Sequence, residues 1–203
     1  MQRIPSFARM FAVLACLGLF TLAAFAAEKK GLYADEKEKT SGDIKDRDYW
    51  QAKWDAKNLE DAIKSRQPEG PISNNVASAL RNLESLEKKY PKHEEIKKMK
   101  ARFEEIQNKV DPNADRRASW KPGFPWDMAN YAQAWINWHY GKMLADDNDV
   151  QDAIGIYQNV VQNFKLITEH EDLFKSMPEE CHKFVEENKP KAEKILADLK
   201  KKR

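Results

Sequence analysis

The sequence predicts an all-α protein, and three observations carry that prediction. Apolar residues recur at three- and four-residue spacing through most of the chain beyond residue 48, while no segment alternates apolar and polar residues with period two for any length. Glycine is scarce, with seven in 203 residues. Charge amounts to 33% and is dominated by Lys and Glu, which suits long helices with one solvated face. At 41% hydrophobic residues, the chain has enough apolar material to bury a core.

The N-terminus reads as a targeting segment and stands apart from the fold. Arg3 and Arg9 precede a charge-free run, Met10 to Ala27, and Ala24-Phe25-Ala26 supplies the small residues of a cleavage site. A signal peptide over 1–26, cleaved after Ala26, predicts a periplasmic or secreted protein. An uncleaved anchor and a lipid-modified Cys16 are the alternatives, and membrane contact is expected only through them. Loss of Arg3 and Arg9 takes the formal charge of +2 close to zero. A neutral mature chain has no general field to attract nucleic acid. Cys181 is then the only thiol, so no intramolecular disulfide forms; it is either buried and inert or the route to an intermolecular bond.

Residues 27–48 are charged and aperiodic, and they read as a flexible tether. The helical domain spans 49–203. Trp50 and Trp54 stand one turn apart, followed by Leu59, Ala62 and Ile63, until Gln67 to Pro71 breaks the chain. Ser73 or Asn74 caps the next helix, whose apolar face is Val76, Ala79, Leu80, Leu83 and Leu86; Tyr90-Pro91 ends it. Ile96, Met99, Phe103, Ile106 and Val110 form a third stripe. Three prolines and a glycine then rule out regular structure over 111–127, yet Trp120, Phe124 and Trp126 predict an ordered loop pinned by its rings.

Asp127 is the expected cap of a helix with Met128, Tyr131, Ala132, Trp135 and Trp138 inward. Asn148 or Asp149 is the expected cap of its successor, lined by Val150, Ala153, Ile154, Tyr157, Val160, Val161 and Phe164. Ser176 and Glu179 bracket Met177-Pro178 as a capping box. Cys181, Phe184, Val185, Ala192, Ile195 and Leu199 carry a weaker stripe, with Asn188 a polar gap and Pro190 expected to kink or split the helix.

Residues 132–164 resemble a tetratricopeptide repeat, a helix-turn-helix unit of about 34 residues. Tyr140, Gly141 and Leu144 match the first helix of that family, and Ala153, Tyr157 and Val160 match the second. Ala79, Leu83, Leu86 and Pro91 have the spacing of a further second helix with its closing proline, and the stretch from Leu86 to Phe103 is similar to repeats of exported bacterial assembly factors. Asn137 stands where that family usually carries tryptophan, and Phe164-Lys165 replaces the closing proline. The resemblance implies hairpins stacked as a short array or irregular bundle, and a role in binding another exported protein or peptide.

The expected contact residues are Trp120, Phe124, Trp126, Tyr131 and His139, rigid rings of the kind that anchor a partner. A carbohydrate or cell-wall module using the same loop tryptophans is the alternative. Trp50, Trp54, Trp135 and Trp138 fall at core spacing instead. The cluster His170, Glu171, Asp172, Glu180, Cys181 and His182 lacks the spacing of a metal site, and neither a cofactor motif nor a nucleophile arrangement occurs. The expectation is a non-catalytic protein without metal or cofactor.

Overall fold

The computed structural model describes residues 39–202. The expected signal segment, Cys16 and the first part of the tether lie outside them. Among the described residues the chain is all-helical, with seven α-helices and no strand: α1 Arg47–Lys64, α2 Glu69–Lys89, α3 Glu94–Gln107, α4 Ala129–Asp146, α5 Val150–Glu169, α6 Glu171–Ser176 and α7 Glu179–Lys202. A single 3-10 turn, Pro125–Asp127, precedes α4.

The helices do not stack in chain order. α3 packs on α2, α2 on α1, α1 on α4, α4 on α5 and α5 on α7. After α3 the chain therefore turns back, and the loop over 108–128 carries it past the end of α1 so that α4 docks on the other side of that helix. This path explains the composition of α4. It is sandwiched between α1 and α5, so Tyr131, Ala134, Ile136, Asn137, Gly141 and Leu144 are buried around most of its circumference rather than along one stripe. By contrast α2 and α3 keep one apolar face each. Val76, Ala79, Leu83 and Leu86 are at most 1% exposed, and each leucine contributes about 1.5–3 kcal/mol by leaving water.

Two glycines let the returning loop approach. A Cβ on Gly70 would lie 1.8 Å from the carbonyl oxygen of Asp115, and one on Gly123 would lie 2.7 Å from that of Ser176. Gly123 also has φ +79, a conformation that L side chains rarely adopt. Around these contacts Lys121 ties the loop to the end of α1. Its backbone N–H donates to Gln67 Oε1 at 2.9 Å, and its Nζ donates to the carbonyls of Ser65 and Arg66 at 3.3 and 2.6 Å. Carbonyls left over at a helix C-terminus are the natural acceptors for a cation.

Several boundaries differ from expectation. Ser73 and Asn74 lie inside α2, which begins at Glu69: proline is tolerated in a first turn, so Pro71 starts the helix rather than breaking it. Asn74 instead donates to the Arg116 carbonyl at 3.2 Å. α4 begins after Met128, which offers no side-chain cap, and not at Asp127. Asp149 occupies the cap position of α5 without capping it, and its carboxylate pairs with Lys45 at 2.8 Å. Ser176 closes α6 by donating to Leu173 O at 2.8 Å, so the capping box does not form. α7 runs unbroken through Pro190, which faces solvent, and Asn188 is buried with its Nδ2 donating to Phe184 O at 2.8 Å.

The described end of the expected tether is part of the fold. Ile44 is fully buried, and Asp46 caps α1 by accepting from Asp48 N at 2.9 Å. Asp46 also accepts from Lys89 and from the Tyr90 hydroxyl, at 3.0 Å for the latter. Thr40 O accepts from Glu94 N at 2.8 Å at the start of α3, and Gly42 O meets His93 Nε2 at 2.7 Å. One apolar residue and one capping aspartate suffice to fix a segment whose composition is otherwise that of a solvated linker.

Candidate functional site

The aromatic residues singled out from the sequence sort into two groups, both turned largely inward. Trp120, Phe124 and Trp126 pack on one another, with ring centroids 5.0 to 6.0 Å apart. Phe124 is 7% exposed, and Trp120 and Trp126 are half-buried against the core. Tyr131 is 4% exposed, between Trp54 at 5.5 Å and Phe184 at 5.8 Å. His139 stacks on Trp50 at 4.8 Å and lies 4.4 Å from Trp135, and burial lowers it to about 4. Tyr131 and His139 lie where α1 meets α4, with Phe184 of α7 against both, while the three loop rings pack chiefly on one another.

The residues matched to the repeat pattern sit in the core. Ala79, Leu83, Leu86, Leu144, Ala153, Tyr157 and Val160 are at most 2% exposed. Pro91 lies just beyond α2, and Tyr140 is half-buried. A Cβ on Gly141 would meet Ile156 Cγ2 at 2.9 Å and the Tyr157 ring at 3.3 Å. The close approach is therefore to the turn after Ala153. Asn137, at the position where tryptophan was expected, is buried and accepts from Arg47 Nε at 3.1 Å, so a polar bond to α1 replaces ring packing there. Cys181 is fully buried with its thiol pushed up to about 11 by burial, which keeps it protonated and inert. His182 stacks on Phe174 at 4.4 Å.

Among the concave surfaces that the described residues leave open to solvent, two combine an apolar floor with basic side chains. The first, of about 400 Å³, lies where α1 and α3 end beside the start of α2. Ile63, Ile72, Ile106 and Val110 line it, and Arg66, Arg102 and Lys109 stand at its rim. Ile63 was expected on the buried face of α1 but is 40% exposed, one of two large apolar side chains so exposed among the described residues. Arg102 is committed to Glu60 and Glu105 at 2.7 Å each, and Lys109 also pairs with Glu105. Arg66 makes no ion pair among the described residues and sits at φ +51, where α1 ends and the chain turns into α2.

The second, of about 640 Å³, lies between α4 and the C-terminal half of α7, over Tyr157 of α5. Its rim carries Lys142, Lys191 and Lys194. Sequence reasoning missed both surfaces. Their polar members come from positions far apart in the chain, and Ile63, the one residue of the first surface that the sequence singled out on α1, was read as part of the buried stripe. No family model, curated protein or solved structure matches this chain.

Proposed function

We propose that this chain is an exported, non-catalytic scaffold that holds a short segment of another exported protein in the groove edged by Ile63 and Arg66. The observation that carries the reading is the pairing of exposed Ile63 with an uncommitted guanidinium above a floor of Ile72, Ile106 and Val110. An aliphatic side chain entering the groove gains the burial that Ile63 lacks, and a carboxylate beside it finds Arg66 ready for bidentate pairing. The occupant is thus an apolar residue flanked by acids. One such anchor contributes about 1.5–3 kcal/mol, so the contact is transient.

The hairpin kind is that of tetratricopeptide repeats. Gly141 beneath Ile156 and Tyr157, the short turn between α4 and α5, and the small residue Ala153 at full burial support it. Export rests on the apolar leader and its Ala24-Phe25-Ala26 site. The loop rings serve this scaffold by joining α4 to α1, and binding is assigned to the groove.

The test places a photo-cross-linking residue at position 63, with position 165 as an exposed control, in the chain produced by its native host. The expected product is one segment, apolar with acidic neighbours, attached at 63 alone and lost when Arg66→Glu is added. Equal labelling at both positions, or labelling that Arg66→Glu leaves intact, would overturn the reading. N-terminal sequencing of the exported chain should begin at Ala27; a chain retaining Met1 would remove the cleavage step.

A further inference from the structure

The cleft between α4 and α7 lies apart from the groove and shares no lining residue with it. Its floor holds a polar atom with nothing to bond. Tyr157 is 0% exposed, its hydroxyl is buried without a hydrogen-bond partner, and it lines this cleft. A buried hydroxyl in a well-packed protein normally has a partner, so an orphan at the bottom of an open cleft marks where a ligand atom belongs. Burial, and after it the charge of Asp146, push this phenol up to about 12, so it keeps its proton and donates, and an anion bound there needs the lysines to offset Asp146.

The surroundings specify the ligand. Lys142 comes from α4, while Lys191 and Lys194 come from α7, and none of the three makes an ion pair among the described residues. Of the two acids lining the cleft, Asp198 is held by Lys201 at 3.1 Å, and Asp146 is left exposed at the end of α4. The α4 wall is balanced, Lys142 against Asp146, and the α7 wall is net positive, Lys191 and Lys194 against Asp198. Trp138 stands edge-on to Tyr157 at 5.9 Å, and Ala145 and Ile195 complete an apolar patch. A volume of about 640 Å³ falls in the range of small-molecule sites.

We infer that this cleft binds a small aromatic or aliphatic molecule with an oxyanion head, the head accepting from the Tyr157 hydroxyl between the lysines and the body lying on Trp138 and Ile195. A carboxylate and a phosphate monoester share that chemistry.

Calorimetric titration of the full chain with 3-phenylpropionate, phenyl phosphate, inorganic phosphate and neutral 3-phenylpropanol tests it. Both aryl anions, or one of them, should bind once per chain, and the tighter one names the head group. The neutral alcohol should bind at least about tenfold more weakly, as should inorganic phosphate, which lacks the apolar body. Tyr157→Phe keeps the ring and should weaken the aryl anion about tenfold. A double variant, Lys191→Gln with Lys194→Gln, alters only exposed side chains and should remove most of the salt dependence even if Tyr157→Phe fails to fold. Equal binding of alcohol and anion, equal binding of inorganic and aryl phosphate, a double variant with unchanged affinity, or no binding of either aryl anion would each overturn the assignment. None of these outcomes bears on the groove at Ile63, whose cross-linking test stands apart.

Discussion

Replacing Asp55 by Asn should stabilise the protein above about pH 6 and leave it unchanged near pH 4. Asp55 lies on α1, where Gln51 Nε2 donates to its Oδ1 at 3.0 Å, and burial pushes its carboxyl up from 3.8 to about 6. The indole N–H of Trp126 faces the same carboxyl and favours its charged form, although the buried nitrogen finds no acceptor in bonding geometry. In the unfolded chain Asp55 ionises near 3.8. Between those two values the folded protein keeps a proton that the unfolded chain has lost. Stability therefore falls as pH rises through the window, and the whole cost is present above about pH 6. The gap corresponds to a ceiling of about 3 kcal/mol, and because water reaches part of the side chain, screening lowers the expected effect to about 1–2 kcal/mol. Asparagine retains Oδ1 as the acceptor for Gln51 and never ionises. Urea unfolding of wild type and variant at about pH 4, 5.5 and 7.5 measures the difference directly, since every other titrating group cancels between the two. A difference that does not change with pH, or a variant less stable at the highest pH, refutes the claim that desolvation dominates at this site.

His139 should give the opposite slope in nearly the same window. Its folded value is lowered to about 4, chiefly by burial, with Lys53 and Lys142 acting the same way and Asp43 against them, so the neutral ring contributes stability above pH 6.5 that is lost as pH falls through about 4. His139→Phe keeps a ring on Trp50 and should flatten the acid limb of the unfolding profile; an unchanged limb would place the acid sensitivity elsewhere. Gly70→Ala puts a methyl group where Asp115 O stands and should cost about 1–3 kcal/mol, despite alanine's better helix propensity. Limited trypsin digestion should show faster cleavage after Arg116 or Arg117, and an unaltered rate would mean the loop does not need that contact.

The fold class was legible because helical periodicity is a local property. Stripes such as Ile96-Met99-Phe103-Ile106 report one buried face, and all four residues are buried in α3. What the sequence hid is the order of packing. Nothing in α3 or α4 says that α4 will sit on α1, because the information is spread over Gly70, Gly123 and Lys121, three residues whose partners lie far along the chain or in another helix. Caps failed for a related reason. Asp149 sits at the cap position but its carboxylate turns to Lys45, more than a hundred positions away in sequence, whereas Asp46 caps α1 with one oxygen while the other meets Lys89. The aromatic loop was legible as ordered, but whether its rings face a partner or the core depends on that same long-range path.

The reversed packing order also decides where binding can occur. In an array stacked in chain order, α4 would rest on α3 and its aromatic face would stand beside the α2–α3 pair. Here α4 goes to α1, and Trp50, Trp54, Tyr131, Trp135 and His139 are used up in holding that junction together. Consumption of these rings leaves two of the open surfaces on either side of the junction. One is the groove bounded by α1, α2 and α3, and the other is the cleft bounded by α4, α5 and α7. The two share no lining residue, and the aromatic junction of α1 and α4 stands between the helices that form them. His139 sits among these rings, stacked on Trp50, and burial keeps its ring neutral until the pH falls to about 4, so charging it removes stability from this junction.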